Sequence, residues 1–144
     1  MELTIFGRHP TEYKTLISPF FVGCTVTTAP FRSDGILLES GSTVHATVLA
    51  ASGLSKDLVR LFPDACIVTC GMSARDSVSC SSVTDSGAVV SIVREIPIVG
   101  GGFVEVQDIY VPFTRPLRAG QIALFTAACF CAGIPAHKLT YPPR

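Results

Sequence analysis

The chain has no tryptophan and only two methionines, and just 15% of its 144 residues are charged. Glutamate, lysine and glutamine are sparse, while valine, threonine, serine, glycine and proline recur throughout. A chain so short of straight-chain helix formers argues against a helical bundle and for short strands joined by tight turns. Low charge together with 48% hydrophobic residues excludes a disordered tail or a solvated linker. Net charge is also missing, since 11 basic residues cancel 11 acidic ones. Nothing therefore steers the chain toward nucleic acid or an acidic membrane. Copies repel each other little near neutrality, which favours self-association or a surface covered by a partner.

Other patterns are lacking too. No apolar run is long enough to cross a bilayer. The least polar stretch, residues 120–135, has only Gln121 and Thr126 as polar members and reads as a buried strand. Glu2, Arg8, His9 and Pro10 break the first apolar residues, so no secretory leader is expected. The expectation is an intracellular protein, with nucleus and cytoplasm left open. Cys66-x3-Cys70 and Cys129-x-Cys131 lack the C-x2-C pairing of structural zinc sites and have no histidine beside them. Together with Cys24 and Cys80 they are expected to be reduced thiols acting as small hydrophobes, with no metal bound. His9, His45 and His137 are too scattered to supply the ligand cluster of a cupin.

What is present reads as a series of strands in one domain, with residues 1–19 as an N-terminal segment, 20–132 as the β domain and 133–144 as a Pro-containing tail. Residues 20–28 and 36–38 are rich in aromatic, aliphatic or β-branched residues. Residues 43–50 alternate Val44, Ala46, Val48 against Thr43, His45, Thr47, the period of a half-buried strand. Residues 52–62 form the best helical candidate, and residues 65–70 a short apolar strand. Residues 73–86 are mostly Ser, Asp, Thr and Arg, the composition of a long surface loop. Residues 88–98 are the strongest strand, Gly100–Gly102 a break, residues 103–111 an edge strand, and residues 122–131 a last strand after a turn. The fold class expected is all-β, a distorted jelly roll or barrel with at most one short helix.

The block Val111-Pro-Phe-Thr-Arg-Pro-Leu-Arg-Ala-Gly-Gln-Ile-Ala-Leu-Phe125 resembles a hairpin of the dUTPase family, where a Pro-Phe strand end passes through a glycine turn into a buried strand. The order of segments from Phe20 to Cys131 is similar as well. Leu37–Val48 with its Ser40-Gly41 turn and Leu61-Phe62-Pro63-Asp64 fall where that family has comparable pieces. The resemblance implies a dUTPase-like jelly roll and places a second phosphate-binding motif at Met72-Ser73-Ala74-Arg75. It also places a water-activating carboxylate near Asp85. The departures matter more: the first motif has no aspartate, Arg75 is displaced from its motif position, and the stacking tyrosine is missing. Without carboxylates to hold magnesium and polarise water, attack on a phosphate loses its electrostatic support.

The resemblance thus implies a non-catalytic relative, similar to the herpesvirus dUTPase-related proteins and the adenovirus dUTPase-like early proteins, which act by binding host or viral proteins. Ser73, Arg75 and Asp85 are the vestigial nucleotide-site positions. Met72, Asp76, Ser77 and Thr84 mark a candidate interaction loop. No catalytic residue and no cofactor are expected. Magnesium enters only with the alternative reading, a residual dUTP or nucleotide phosphohydrolase. A structural jelly-roll protein is the third reading. Expected partners are proteins, including further copies of the chain, with neither nucleic acid nor membrane.

Overall fold

The computed structural model describes residues 1–41, 47–50, 56–113 and 117–140. The elements run β1 (Glu2–Gly7), α1 (Pro10–Ile17), β2 (Thr25–Pro30), β3 (Gly35–Glu39), β4 (Thr47–Ala50), α2 (Lys56–Leu61), β5 (Cys66–Gly71), β6 (Val78–Val83), β7 (Gly87–Ile92), β8 (Ile96–Pro97), β9 (Phe103–Val104), β10 (Gln107–Pro112) and α3 (Ala119–Cys131). Eight strands make one mixed sheet in the order β10-β7-β6-β5-β4-β3-β1-β2, and β8 and β9 form a separate hairpin closed by Gly100–Gly102. The β-rich class expected from composition is present. The sheet is open, with β10 and β2 at its edges.

Two crossovers set the layers. β1 and β2 are parallel and joined through α1, and β4 and β5 are parallel and joined through a segment containing α2. Helices α1 and α3 share the larger core with Leu3, Ile5, Ile36, Leu38, Leu49 and Val68. On the opposite face Leu58 of α2 packs with Phe6, Leu37, Val48 and Ala50. There Phe6 stacks on Phe62 with ring centroids 6.1 Å apart and meets Phe31 edge-on with centroids 5.6 Å apart. β3 and β4 are therefore covered on both sides, which is why their sequences are continuous apolar runs.

The junction between β5 and β6 is unusual. These strands are parallel, yet only six residues connect them, too few for a crossover. The geometry is met by stagger: only Cys70↔Val78 and Gly71↔Ser79 pair, so the end of β5 overlaps the start of β6. Two half-sheets, β2-β1-β3-β4-β5 and β6-β7-β10, meet at this short seam.

Several expectations are corrected. Residues 122–131 are helix, not strand, and belong to α3, where every residue from Gln121 to Cys131 is buried. Sheet covers one side of it, and Phe20, Ile134, Leu139 and α1 belong to the same core. A helix enclosed in this way must be apolar all round, and so shows none of the one-sided periodicity that marks a surface helix. The Pro112–Ala123 block consequently runs from β10 into a helix rather than through a hairpin. Among the described residues three α-helices are present where at most one short one was expected. Residues 20–24 are not strand, since a 3-10 turn spans Ser18–Phe20 and β2 begins at Thr25. The stretch expected as one loop, 73–86, contains β6, whose serines lie in a ladder with β7. Residues 1–19 carry β1, which lies inside the sheet between β2 and β3, and α1. His45 and its alternating neighbours 43–46, and positions 52–55 of the expected helix, lie outside the described residues; Lys56–Leu61 of that helix is observed as α2.

Candidate functional site

The β5–β6 connection, residues 72–77, holds five of the seven residues singled out by sequence. Its shape comes from a reciprocal set of bonds. The Ser73 N–H donates to Asp76 Oδ2 at 3.1 Å, and the Asp76 N–H donates back to the Ser73 carbonyl at 3.0 Å. The Arg75 N–H donates to Ser73 Oγ at 3.2 Å. Short polar side chains that bond nearby backbone groups close turns in this way. The loop is then tied to its surroundings: the Ser77 N–H donates to Thr69 Oγ1 at 3.1 Å, and its carbonyl accepts from Val93 N–H at 2.8 Å. Arg94 Nη1 caps the Arg75 carbonyl at 2.8 Å. Asp76 is buried and held by backbone, so it acts as the frame of the loop, while Met72 and the Arg75 side chain are exposed.

The remaining two residues, Thr84 and Asp85, belong to the β6–β7 turn. The Thr84 N–H donates to the Gly87 carbonyl at 2.8 Å, and Thr84 Oγ1 donates to the same oxygen at 3.1 Å. Asp85 sits exposed in this turn. β6 separates the two groups, with Ser77 before its first residue and Thr84 after its last. At about 3.3 Å per residue they stand roughly 20 Å apart. The structure thus gathers Met72, Ser73, Arg75, Asp76 and Ser77, and leaves Thr84 and Asp85 at the far end of the strand. Ser73 and Arg75 thus stand a strand's length away from Asp85.

Between these ends the sheet carries exposed side chains at Ser82, Asp108 and Tyr110, while Ser79 is buried. The register sets its rows: Ser79, Ser91 and Asp108 lie side by side, as do Ser82, Val89 and Tyr110, with Gly87 beside Pro112. Ser91 Oγ donates to Asp108 Oδ1 at 2.7 Å. The Tyr110 ring lies over Gly87 so closely that a Cβ there would overlap it, and its hydroxyl donates to the Ser86 carbonyl at 3.3 Å. Tyr110 nevertheless remains 57% exposed. Sequence reading missed this face because the serines of β6 resemble loop composition. Its signal was the alternation of Val78 and Cys80 with Ser79 and Ser81.

A second polar cluster escaped sequence reading altogether. Arg8 and His9 follow β1, Arg32 and Asp34 lie between β2 and β3, and Arg118 precedes α3; with Tyr13 they line a pocket of about 300 Å³. These residues are far apart in the chain, and only the fold collects them.

The six cysteines are free thiols. Burial pushes the Cys70 and Cys129 thiols well up, and burial with the nearby Cys66 pushes Cys131 up to about 12. All three are therefore protonated and unreactive near neutrality. Cys66 is exposed and Cys24 half-buried. Among the described residues no group of three His, Cys, Asp or Glu side chains is placed to hold a metal ion, and no helix is long and apolar enough to cross a membrane. No family model, no curated protein and no solved structure matches this chain.

Proposed function

We propose that the chain is a non-catalytic binding module that engages a protein partner through the face of β6, β7 and β10 that bears Tyr110. The observation that carries this reading is the row Ser82–Val89–Tyr110, an exposed aromatic ring beside an aliphatic neighbour and a serine. Exposed tyrosine with small hydroxyl residues around it suits protein recognition, since it adds contact area at little conformational entropy. The adjoining β10 is an edge strand among the described residues, which adds a means of fixing an extended segment. Balanced charge fits a partner bound by shape and hydrogen bonds.

The finer reading makes this module a viral dUTPase-related protein, acting on host or viral proteins inside the host cell. It rests on the order of segments between Phe20 and Cys131 alone. The rival, a residual dUTP phosphohydrolase, requires Ser73, Arg75 and Asp85 to act on one ligand. Their placement at opposite ends of β6 means a neighbouring copy would have to complete the site. Calorimetric titration with a non-hydrolysable dUTP analogue and magnesium decides between them. No heat at millimolar analogue is expected, and micromolar binding abolished by Arg75→Ala would replace the binding-module reading with the enzymatic one. The module reading itself is tested by affinity capture with wild type against Tyr110→Ala. It stands if one protein is retained stoichiometrically by wild type and lost by the variant, and falls if no such protein exists.

A further inference from the structure

We infer that the outer edge of β2 is a self-association surface, at which two copies of the chain pair their β2 strands antiparallel about a two-fold axis and join their sheets into one. This surface lies at the opposite edge of the sheet from Tyr110 and does not depend on the reading above.

Among the described residues β2 is the last strand of the sheet, bound on one side to β1. The bonds to β1 come from alternate residues. The Thr25 N–H donates to the Met1 carbonyl at 3.3 Å, and the Phe31 N–H, just past the strand, donates to the Gly7 carbonyl at 2.9 Å. A parallel ladder keeps this alternation along its length, so residues 25, 27 and 29 face β1. The N–H and carbonyl groups of Val26 and Thr28 therefore face away from it, a template for another strand. Side chains leave that template accessible, since Thr28 and Pro30 are exposed and Val26 is half-buried.

Sheet edges commonly carry charge, which turns other strands away. β10 has Asp108 within it, whereas β2, Thr25-Val-Thr-Thr-Ala-Pro30, has no charged residue and is rich in β-branched ones. One register suits a second copy. With Thr27 on the two-fold axis, Val26 of each copy stands opposite Thr28 of the other. Each such pair exchanges two N–H···O=C bonds, so every outward group of Val26 and Thr28 finds a partner. Pro30, which has no N–H, falls opposite Cys24 of the partner copy, beyond these bonds, and interrupts none of them. The two Thr27 side chains meet across the axis as an uncharged pair.

The flanks of the edge are apolar. On the α2 side Ala29, Phe31, Leu61 and Phe62 line a hollow of about 140 Å³ beside β2. Leu61 is 56% exposed, and Val22, in the turn before β2, is 88% exposed. An axis perpendicular to the sheet turns the same face of both copies to one side, so each hollow adjoins the start of the other β2. The antiparallel register carries Val22 of one copy toward the Pro30–Phe31 end of the other. Apolar surface that is costly on a monomer thus becomes contact in the dimer. A net charge of zero leaves no long-range repulsion between copies.

The test is sedimentation velocity of the full chain between about 10 µM and about 1 mM. Wild type is expected to pass from monomer to dimer with no larger species, because an isologous edge contact closes at two copies. Thr28→Pro, at an N–H that makes no bond to β1, and Thr28→Lys are each expected to weaken the dimer by about tenfold or more. Gln107→Lys, on β10, is expected to dimerise as wild type. Thr28→Glu alone is expected to be as weak as Thr28→Lys, and mixing the two variants to restore a dimer, since the two Thr28 positions lie diagonally across the axis. Mixing would not repair a folding defect. The proposal is overturned by a wild type that stays monomeric at about 1 mM or forms a trimer or larger species. It is equally overturned by Thr28 variants that dimerise as wild type, by Gln107→Lys weakening the dimer as much as Thr28→Lys, or by a mixture no more dimeric than its components.

Discussion

Along β3 every residue from Gly35 to Leu38 is buried, and along β4 every residue from Thr47 to Ala50. Along β10, on the other side of the seam, burial alternates: Asp108 and Tyr110 are exposed while Ile109 and Val111 are buried. The same sheet thus has a half enclosed between helices and a half exposed in part on one face. The enclosed half derives its stability from apolar packing on two sides. The open half keeps one apolar side and uses the other for polar rows and a single aromatic ring. This difference also separates the two candidate surfaces, since the Tyr110 face belongs to one half and the β2 edge to the other.

The largest effect is expected where enclosure is complete. Leu38→Ala, at a residue with no exposed surface, should cost about 2–5 kcal/mol in denaturant unfolding, whereas Tyr110→Ala on the open face should cost about 1 kcal/mol or less. Equal losses would break the distinction between the halves.

The next effect is a loss of stability at alkaline pH. Tyr13 is pushed up from 10.0 to about 12, first by burial and then by the Asp34 charge, and Cys131 from 9.0 to about 12 by burial and Cys66. Both groups hold their protons more tightly folded than unfolded, so their contribution is complete below the unfolded values and falls as pH rises through the folded ones. Stability should therefore decline from about pH 9 to 12. Tyr13→Phe should lessen that slope above pH 10 and leave the part due to Cys131, as measured by denaturant midpoints at each pH.

A smaller effect concerns the ring over Gly87. Gly87→Ala should cost about 1 kcal/mol because the new methyl displaces Tyr110, and should become neutral or slightly stabilising in a Tyr110→Ala background. A penalty that persists without the ring would show that Tyr110 is not what restricts this position. The smallest change is expected from Ser91→Ala, which removes the exposed bond to Asp108 and should shift stability by no more than about 0.5 kcal/mol.

How much of this was legible in the sequence depended on what each residue had to do. The apolar runs 36–38 and 65–70 identified β3 and β5, whereas the expected edge strand 103–111 divides into Phe103–Val104 of the separate hairpin and the edge strand β10 from Gln107. The same logic failed for α3. An apolar run reads alike as buried strand or buried helix, and the deciding signals were its length and its alanines at 119, 123, 127 and 128. β1 was overlooked although Leu3 and Ile5 alternate with Glu2 and Thr4, because six residues before Arg8 and His9 look like a frayed end. Of the candidate site, the turn-forming character of Ser73 and Asp76 was legible. That Asp85 stands at the other end of β6 was not, because it depends on a strand hidden among serines.

The seam between the half-sheets rests on two paired positions, yet α3 packs against β3, β4 and β5 on one side of it and against β6 and β7 on the other. Continuity across the molecule is therefore carried by side chains rather than by backbone ladder. The helix works as a clamp: each half-sheet supplies only part of its socket, so neither half can open without exposing a helix that has no polar side to turn toward water. Unfolding of the two halves is thereby coupled into one event, and a break in α3 would unfasten both at once.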